Sequence, residues 1–463
     1  MMYVNAISQL RTKSTTKIQW TNLCKNQGPL NIPRVVVKQD QKQKTDLPPL
    51  KGTDRDDNID DNDKVIDADL TRQTRSKTRT DLQRSKETDR DDNNDDDDNV
   101  ICVDLTDEPI SEIIETAREH IIMAKFQRCE YNRLNVLAKD ENTVLTLTID
   151  MAQNLEVPHF GSNQPGDSYY LSPLIVYVFG VVNNATDFMH AFVWNEGDGD
   201  RGMNNIVSCL HKYLSILKIF SKKNKYKELV ILADNCGGQN KNRCLIRYLL
   251  WLVESGCLSS TKLIFLIKGH TKNKCDRLFN LLKSIYRKVD VFSFKELAAI
   301  INMSSKDISV IPMSPKDFFD VNRWLSQYYL EPETKTINEY HQFIVEKEDP
   351  TTLRRYIYCG SKEFLKQDFL PKRGDKVLSP KVRKKKISVT NMRKELKKLK
   401  PPGIRPMKQI EMYQKWRSIV PQMYWADTCP EPTEEIKDYV KSRKEERKVQ
   451  KREEKRLLWN KRK

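Results

Sequence analysis

Three aspartates in this 463-residue chain stand where carboxylates can do chemistry: Asp150, Asp234 and Asp276. Asp150 closes Val144-Leu-Thr-Leu-Thr-Ile, an alternating run rich in β-branched residues that predicts a strand. Asp234 closes Leu229-Val-Ile-Leu-Ala, a continuous apolar run of the kind that fills a buried central strand. Asp276 falls in the first turn of a predicted helix that follows a further strand. In open α/β sheets functional side chains gather at the carboxyl ends of strands. Three carboxylates converging there suit two hard divalent cations, Mg2+ or Mn2+, which prefer oxygen ligands and leave positions open for phosphate. Two such ions about 3.5–4 Å apart stabilise the attacking and leaving oxygens of phosphodiester cleavage. Mutual repulsion among the acids is the expected cost of holding them. Plainer roles stand beside these. Asp234 precedes Asn235-Cys-Gly-Gly and suits a turn. Asp276 suits the positive end of a helix dipole.

Polar residues accompany the acids. Asn235, Gln239 and Asn240 follow the second one and suit phosphate oxygens or the orientation of water. Asn240 equally suits a helix cap. His270, six residues before Asp276, suits a phosphate contact or proton transfer, or else a satisfied structural role. Lys268, Lys272 and Lys274 add positive charge that a polyanionic substrate would meet.

The elements that must position these residues are legible from periodicity. Segments 174–182 and 189–195 predict two more strands. Ile206, Leu210, Leu214 and Leu217 predict a helix over 204–217. A helix over 242–254, rich in Leu and aromatics, is closed by Gly256. A buried strand over 263–267 and a helix over 274–287 follow, the latter with Leu278, Leu281, Leu282 and Ile285 on one face. Three strands and then alternating units imply a mixed sheet with helices on its faces. Upstream, Pro109 and the spacing of Ile113, Ile114, Ala117, Ile121 and Ala124 predict a helix over 108–137.

Composition bounds the rest. With 38% hydrophobic and 31% charged residues, the chain can bury one sizeable core but not along its whole length. The net charge of +17 is unevenly placed. Residues 371–463 hold 30 Lys+Arg against 12 Asp+Glu, leaving 51 against 52 elsewhere. A basic tail suits nucleic acid or another polyanion, and a solvated charged helix equally. Ten cysteines without a C-x-x-C pair argue against a zinc finger and a disulfide scaffold, and imply reduced thiols. The longest uncharged apolar run, 171–182, is too short to span a membrane. No secretory signal is visible. Residues 1–39 carry six Lys/Arg and no acid, a transit-peptide balance without the periodicity of one.

Residues 40–110 contain a duplication, begun by Lys51-Gly-Thr-Asp-Arg-Asp-Asp-Asn and Lys86-Glu-Thr-Asp-Arg-Asp-Asp-Asn. Such acid-rich sequence has no face to bury and predicts disorder. Val100, Ile101, Val103 and Leu105, flanked by acids, resemble a SUMO-interacting motif, which adds a strand to a sheet edge. An incidental apolar patch is the plainer reading. Lys381, Arg383, Lys384, Lys385 and Lys386 resemble a nuclear localisation signal. The run 441–463 predicts an exposed helix whose contacts to a DNA backbone would position rather than specify.

Three longer motifs carry a family resemblance. Leu147-Thr-Ile-Asp-Met-Ala-Gln-Asn154 with Val157-Pro158 is similar to the first acidic motif of DUF7869, a transposon-associated family of unknown function that resembles DDE transposases. Ala233-Asp-Asn-Cys-Gly-Gly-Gln-Asn-Lys-Asn242 resembles its second motif, and Gly269-His-Thr-Lys-Asn-Lys-Cys-Asp-Arg-Leu-Phe279, ending in Lys283, its third. The helix over 120–134, the segment 339–344 and the stretch 401–430 are similar to family edges, so the resemblance covers 108–435. Asn280 stands where the family pattern would have Gly, and no DNA-binding module is evident ahead of the core.

The resemblance implies a ribonuclease-H-like α/β core. Its two-ion site would use Asp150, Asp234 and Asp276, with Mg2+ or Mn2+ as cofactor and DNA as substrate. The implied protein is a transposase-derived nuclease or strand transferase. The alternative is a catalytically inactive, domesticated copy that binds DNA or protein. The expected organisation is a disordered acidic region over 1–107, a helical lead-in over 108–140 and the core over 141–345. A basic extension over 346–435 and a charged helical tail over 436–463 follow. Expected partners are DNA, SUMO or a SUMOylated protein, and a second copy of the chain, with no membrane. The expected location is the nucleus.

Overall fold

A computed structural model describes residues 107–235, 241–270, 272–332, 334–371 and 387–461. The SUMO-interacting and nuclear-localisation readings, with Gln239 and Asn240, lie outside the described residues. The chain divides into compact units at Glu119 and His120. In the first, the described residues are helical. The second, His120–Lys463, holds the sheet and the candidate site.

Helix α1 spans Asp107–Asp140. Strands β1 (Val144–Met151), β2 (Leu155–Val157), β3 (Leu174–Asn183) and β4 (Phe188–Asn195) follow. Helices and strands then alternate: α2 (Met203–Ile216), β5 (Glu228–Ala233), α3 (Arg243–Glu254), β6 (Ser260–Phe265) and α4 (Lys274–Tyr286). Next come α5 (Phe294–Met303) and β7 (Ile308–Pro312), then β8 (Gln342–Glu346), β9 (Asp349–Tyr356) and β10 (Leu365–Asp368). The elements expected between 108 and 287 are all present within a few residues of their predicted ends.

The strands form one mixed sheet in the order β10-β9-β8-β6-β5-β1-β3-β4-β7, with β2 beside β3. β1 is antiparallel to β3, and β3 to β4. β1 is parallel to β5, and β5 to β6. Strands β8, β9 and β10 extend the β6 edge in antiparallel pairs, so residues from 346 onwards join the same sheet.

The alternation along β1 decides what lies on each side. Leu145, Leu147, Ile149 and Met151 enter a core cluster with Ile206, Leu210, Tyr213 and Leu214 of α2 and Leu245, Leu249 and Trp251 of α3. A strand's side chains alternate between faces, so Thr146, Thr148 and Asp150 take the other face. There Val176, Val178 and Val182 of β3 pack with Leu278, Phe279 and Leu282 of α4 and Leu297 and Ile301 of α5. Met412, Trp416, Val420 and Cys429 join that second cluster, which makes the stretch after 400 part of the core. Tyr131 and Leu134 of α1 cover Val230, Leu232 and Ile264 on β5 and β6. Among the described residues, no helix is long and apolar enough to cross a membrane. The described cysteines are free thiols.

Candidate active site

The first two acids are strand neighbours. β1 and β5 run parallel with Ile149 opposite Ala233. The next rung therefore sets Asp150 beside Asp234, on strands about 4.8 Å apart. Their face follows from the pleat: Val230 and Leu232 lie under α1, and Asp234 continues that row. Asp150 is 8% exposed, and Asp234 is half-buried. One Asp150 oxygen accepts a hydrogen bond from the Met151 backbone N–H at 2.8 Å.

The third acid reaches the pair through α4. Asn273 caps this helix: its Oδ1 accepts from the Asp276 N–H at 3.1 Å, and Asp276 Oδ2 accepts from the Asn273 N–H at 3.0 Å. This reciprocal box fixes the Asp276 side chain in the first turn. Two contacts press that turn onto the sheet. The Cys275 thiol donates to the Thr148 carbonyl oxygen at 3.3 Å. The Phe279 ring, three residues along the same helical face as Asp276, lies over Gly180. Gly180 pairs with Asp150 across β3 and β1, and a Cβ there would meet the ring at 2.8 Å. The missing side chain thus lets α4 come close enough for three distant acids to meet.

The acids feel one another electrostatically. Burial, helped by the charges of Asp234 and Asp276, pushes the Asp150 carboxyl up to about 7. Hydrogen bonds from Met151 and the Asn273 side chain oppose that rise. Burial also raises Asp276, with Asp234 adding to it, while Lys283 and Lys272 pull it back. Among the described residues, no group of three His, Cys, Asp or Glu side chains is placed to hold a metal ion. The donor chemistry nevertheless suits a hard divalent cation: three carboxylates, two of them with proton affinity raised first by burial and then by a neighbouring acid.

Beside Asp234 the polar atoms form a chain of hydrogen bonds. Lys241 Nζ donates to Asn235 Oδ1 at 3.0 Å and to the Asn338 carbonyl at 2.9 Å. Asn235 Nδ2 faces His341 Nε2 at 3.2 Å, and His341 Nδ1 faces the Ile357 carbonyl oxygen at 2.8 Å. A carbonyl only accepts, so Nδ1 carries the imidazole proton and Nε2 accepts from the amide. Lys241 is buried and His341 half-buried. Burial lowers Lys241 to about 8, and burial with the nearby Lys241 charge lowers His341 to about 4.

The loop after β6 is held from α1. Gln127 Nε2 donates to the Phe265 carbonyl at 2.7 Å. The Arg128 guanidinium donates to the carbonyls of His270, at 2.9 Å, and Lys272, at 3.0 Å. The His120 and His270 rings are 5.5 Å apart. Burial, His120 and Arg128 all lower the His270 imidazole. Lys268 and Lys272 are exposed on this loop. Lys274 turns the other way, toward the β3–β4 turn, where it pairs with Asp187 and donates to the Asn184 carbonyl.

Asp150, Asp234 and Asp276 therefore feel one another's charge, with Asn235 next to Asp234 and Lys272 acting on Asp276, whereas His270 faces His120 and Arg128 and Lys274 faces Asp187. Residues 167–361 match a family model described as Domain of unknown function (DUF7869). The DUF7869 match takes in Asp234 and Asp276 but starts after Asp150. β1 lies between β3 and β5, so the sheet needs a strand that the DUF7869 segment does not contain. Neither a curated protein nor a solved structure matches the chain.

Sequence reasoning gave no role to Asn273, Arg128, Lys241, His341 or Lys283. The Asn273-x-x-Asp276 spacing is a legible capping box. Nothing in the sequence links His341 to Asn235, 106 residues earlier.

Proposed function

We propose that this protein is a metal-dependent nuclease or strand transferase acting on DNA, built on a ribonuclease-H-like core. One observation carries the reading: Asp150 and Asp234 share a rung and a face of adjacent parallel strands, and α4 brings Asp276 to them. The strand order β4-β3-β1-β5-β6, three antiparallel strands followed by two parallel ones with the first acid on the central strand, supports the choice of core.

Asp150 and Asp234 would hold a divalent cation between adjacent strands, and Asp276 would complete the site. Bound Mg2+ or Mn2+ supplies positive charge to the attacking and leaving oxygens of a phosphodiester. The chain's own residues do the rest. The capping box keeps Asp276 in one rotamer. The Lys241–Asn235–His341 chain holds the backbone just after Asp234. Lys272 and Lys283 offset carboxylate charge and face a phosphate chain with cations. His270, whose imidazole burial holds below its ordinary value, would be the group to accept or pass a proton. The nuclear address at Lys381, Arg383, Lys384, Lys385 and Lys386 and the SUMO contact at Val100, Ile101, Val103 and Leu105 belong to the same proposal.

The test is nicking of supercoiled DNA with Mg2+ or Mn2+, comparing the natural chain with Asp234→Asn. Activity that disappears in the variant is the expected result. Equal nicking by both proteins overturns the site. A binding role without catalysis takes its place if the pure protein does not nick and neither ion changes its stability.

A further inference from the structure

The last helix, Glu434–Lys461, begins docked and ends free. Val440 is 3% exposed, and Lys437 pairs with Glu431 and Glu434, both at 2.8 Å. From Lys441 to Trp459 every residue is exposed. Nineteen residues at 1.5 Å each make a projecting rod about 28 Å long.

All five lysines of the rod fall at 441, 444, 448, 451 and 455, a strict three-four spacing. At 100° per residue they occupy one arc of about 80° that contains no acid. Arg447 and Arg452 flank the arc. Glu446 and Glu453 lie on the opposite side with Val449. The rod's one salt bridge among the described residues is Arg443–Glu446, at 3.1 Å, and none of the five lysines takes part in one.

Within the stripe the charges repel one another, while Glu445 and Glu454 offset part of that repulsion from its two sides. Lys444–Lys448, Arg447–Lys451, Lys448–Arg452 and Lys451–Lys455 are like-charge pairs four residues apart. Each destabilises by roughly 0.2–0.5 kcal/mol. A polyanion along the stripe would reverse the sign of every one of these terms.

We propose that the lysine stripe 441–455 is a docking surface for the phosphate backbone of duplex DNA. The proposal rests on the reading above only in its choice of polyanion. A second copy of the helix is a poor occupant, because lysines at three-four spacing would face each other across the seam of a coiled coil. A membrane is a poor occupant as well. An interfacial helix needs a continuous apolar face, whereas the rod's apolar residues are Val449 and a terminal Leu457-Leu458-Trp459. The contacts are to backbone and carry no sequence information.

The experiment uses the full chain, a labelled DNA duplex and EDTA, so that cleavage plays no part. Binding is followed by fluorescence anisotropy across a salt titration. One variant replaces Lys444, Lys448, Lys451 and Lys455 with Gln. A second removes the same number of charges from outside the lysine arc, at its margins and behind it, by replacing Arg443, Arg447, Arg452 and Arg456 with Gln. Each phosphate contact contributes about 0.9 to the slope of log affinity against log salt. The lysine variant is expected to lose roughly three to four from that slope and more than tenfold in affinity at low salt. The arginine variant is expected to lose less than half as much. Unchanged binding by the lysine variant, or an equal loss in both variants, overturns the stripe. Loss of binding to phosphatidylserine vesicles with unchanged DNA binding overturns the choice of partner. Failure of the nicking assay leaves this result untouched.

Discussion

Asp150 is a carboxyl held near neutrality by burial and by two neighbouring acids. Because its affinity for a proton is higher folded than unfolded, its contribution favours the folded state in acid. That contribution is lost as pH rises from 3.8 to about 7. At about 1.4 kcal/mol per pH unit the loss is up to ~4 kcal/mol. In EDTA, melting temperature should therefore fall across this window. Millimolar Mg2+ or Mn2+ at pH 8 should restore it. Asp150→Asn should raise the metal-free melting temperature, flatten the pH dependence and abolish the effect of the ion. A variant that melts like the natural chain at every pH would break the electrostatic account. A second residue-scale prediction concerns Lys241. Replacing it with Met leaves Asn235 Oδ1 and the Asn338 carbonyl without their donor, at a cost of about 1–3 kcal/mol. Urea denaturation measures that cost. Nitrogen-15 spectra of His341 should show the proton on Nδ1 and no titration until the pH approaches 4.

At the scale of elements, α4 is the piece that makes a site out of a sheet. It is seated by Phe279 on Gly180 and tied down by the Asn273 box. Gly180→Ala drives a methyl to 2.8 Å from a ring that is itself buried, so the helix must lift. Overpacking of this kind costs roughly 1–3 kcal/mol. If Asp276 lifts too, the melting-temperature gain from Mn2+ should shrink by more than the apo protein loses. Asn273→Ala should cost about 1 kcal/mol as a lost cap and loosen the same carboxylate. These elements were visible as periodicity, and their order was enough to expect a mixed sheet. β8 and β9 were not predicted as strands, and the β10 sequence Leu365-Lys-Gln-Asp has no apolar alternation. They become strands because the open edge of β6 offers unpaired backbone groups, a tertiary opportunity that local sequence does not encode.

For the whole molecule, the stretch after 400 is structural first. Met412, Trp416, Val420 and Cys429 belong to the core on the α4 face, and the Lys408 ammonium pairs with Glu196. Ending the chain at 400 should therefore destabilise it by several kcal/mol, since Trp416 alone is a large buried aromatic. Ending it at 441 should leave melting unchanged, because nothing beyond that point is buried among the described residues. Calorimetry of the two truncations separates these outcomes. The sequence foresaw a basic tail and set a charged helix apart within it from 436. Among the described residues, packing divides it into a part that joins the core and a projecting rod from Lys441.

By itself the sequence determined the three acids, their places at the ends of apolar runs, the order of helices and strands through 287, and the charge asymmetry. These are local properties: strand and helix periods, cap spacings and composition survive without knowledge of neighbours. Tertiary structure alone decided that Asp150 and Asp234 share a rung, because register is a relation between strands 84 residues apart. It also decided that Lys274 faces Asp187 and not the acids, and that His341 closes a chain begun at Lys241. Side-chain direction is set by which face of the sheet a helix covers, and that choice belongs to the packed molecule.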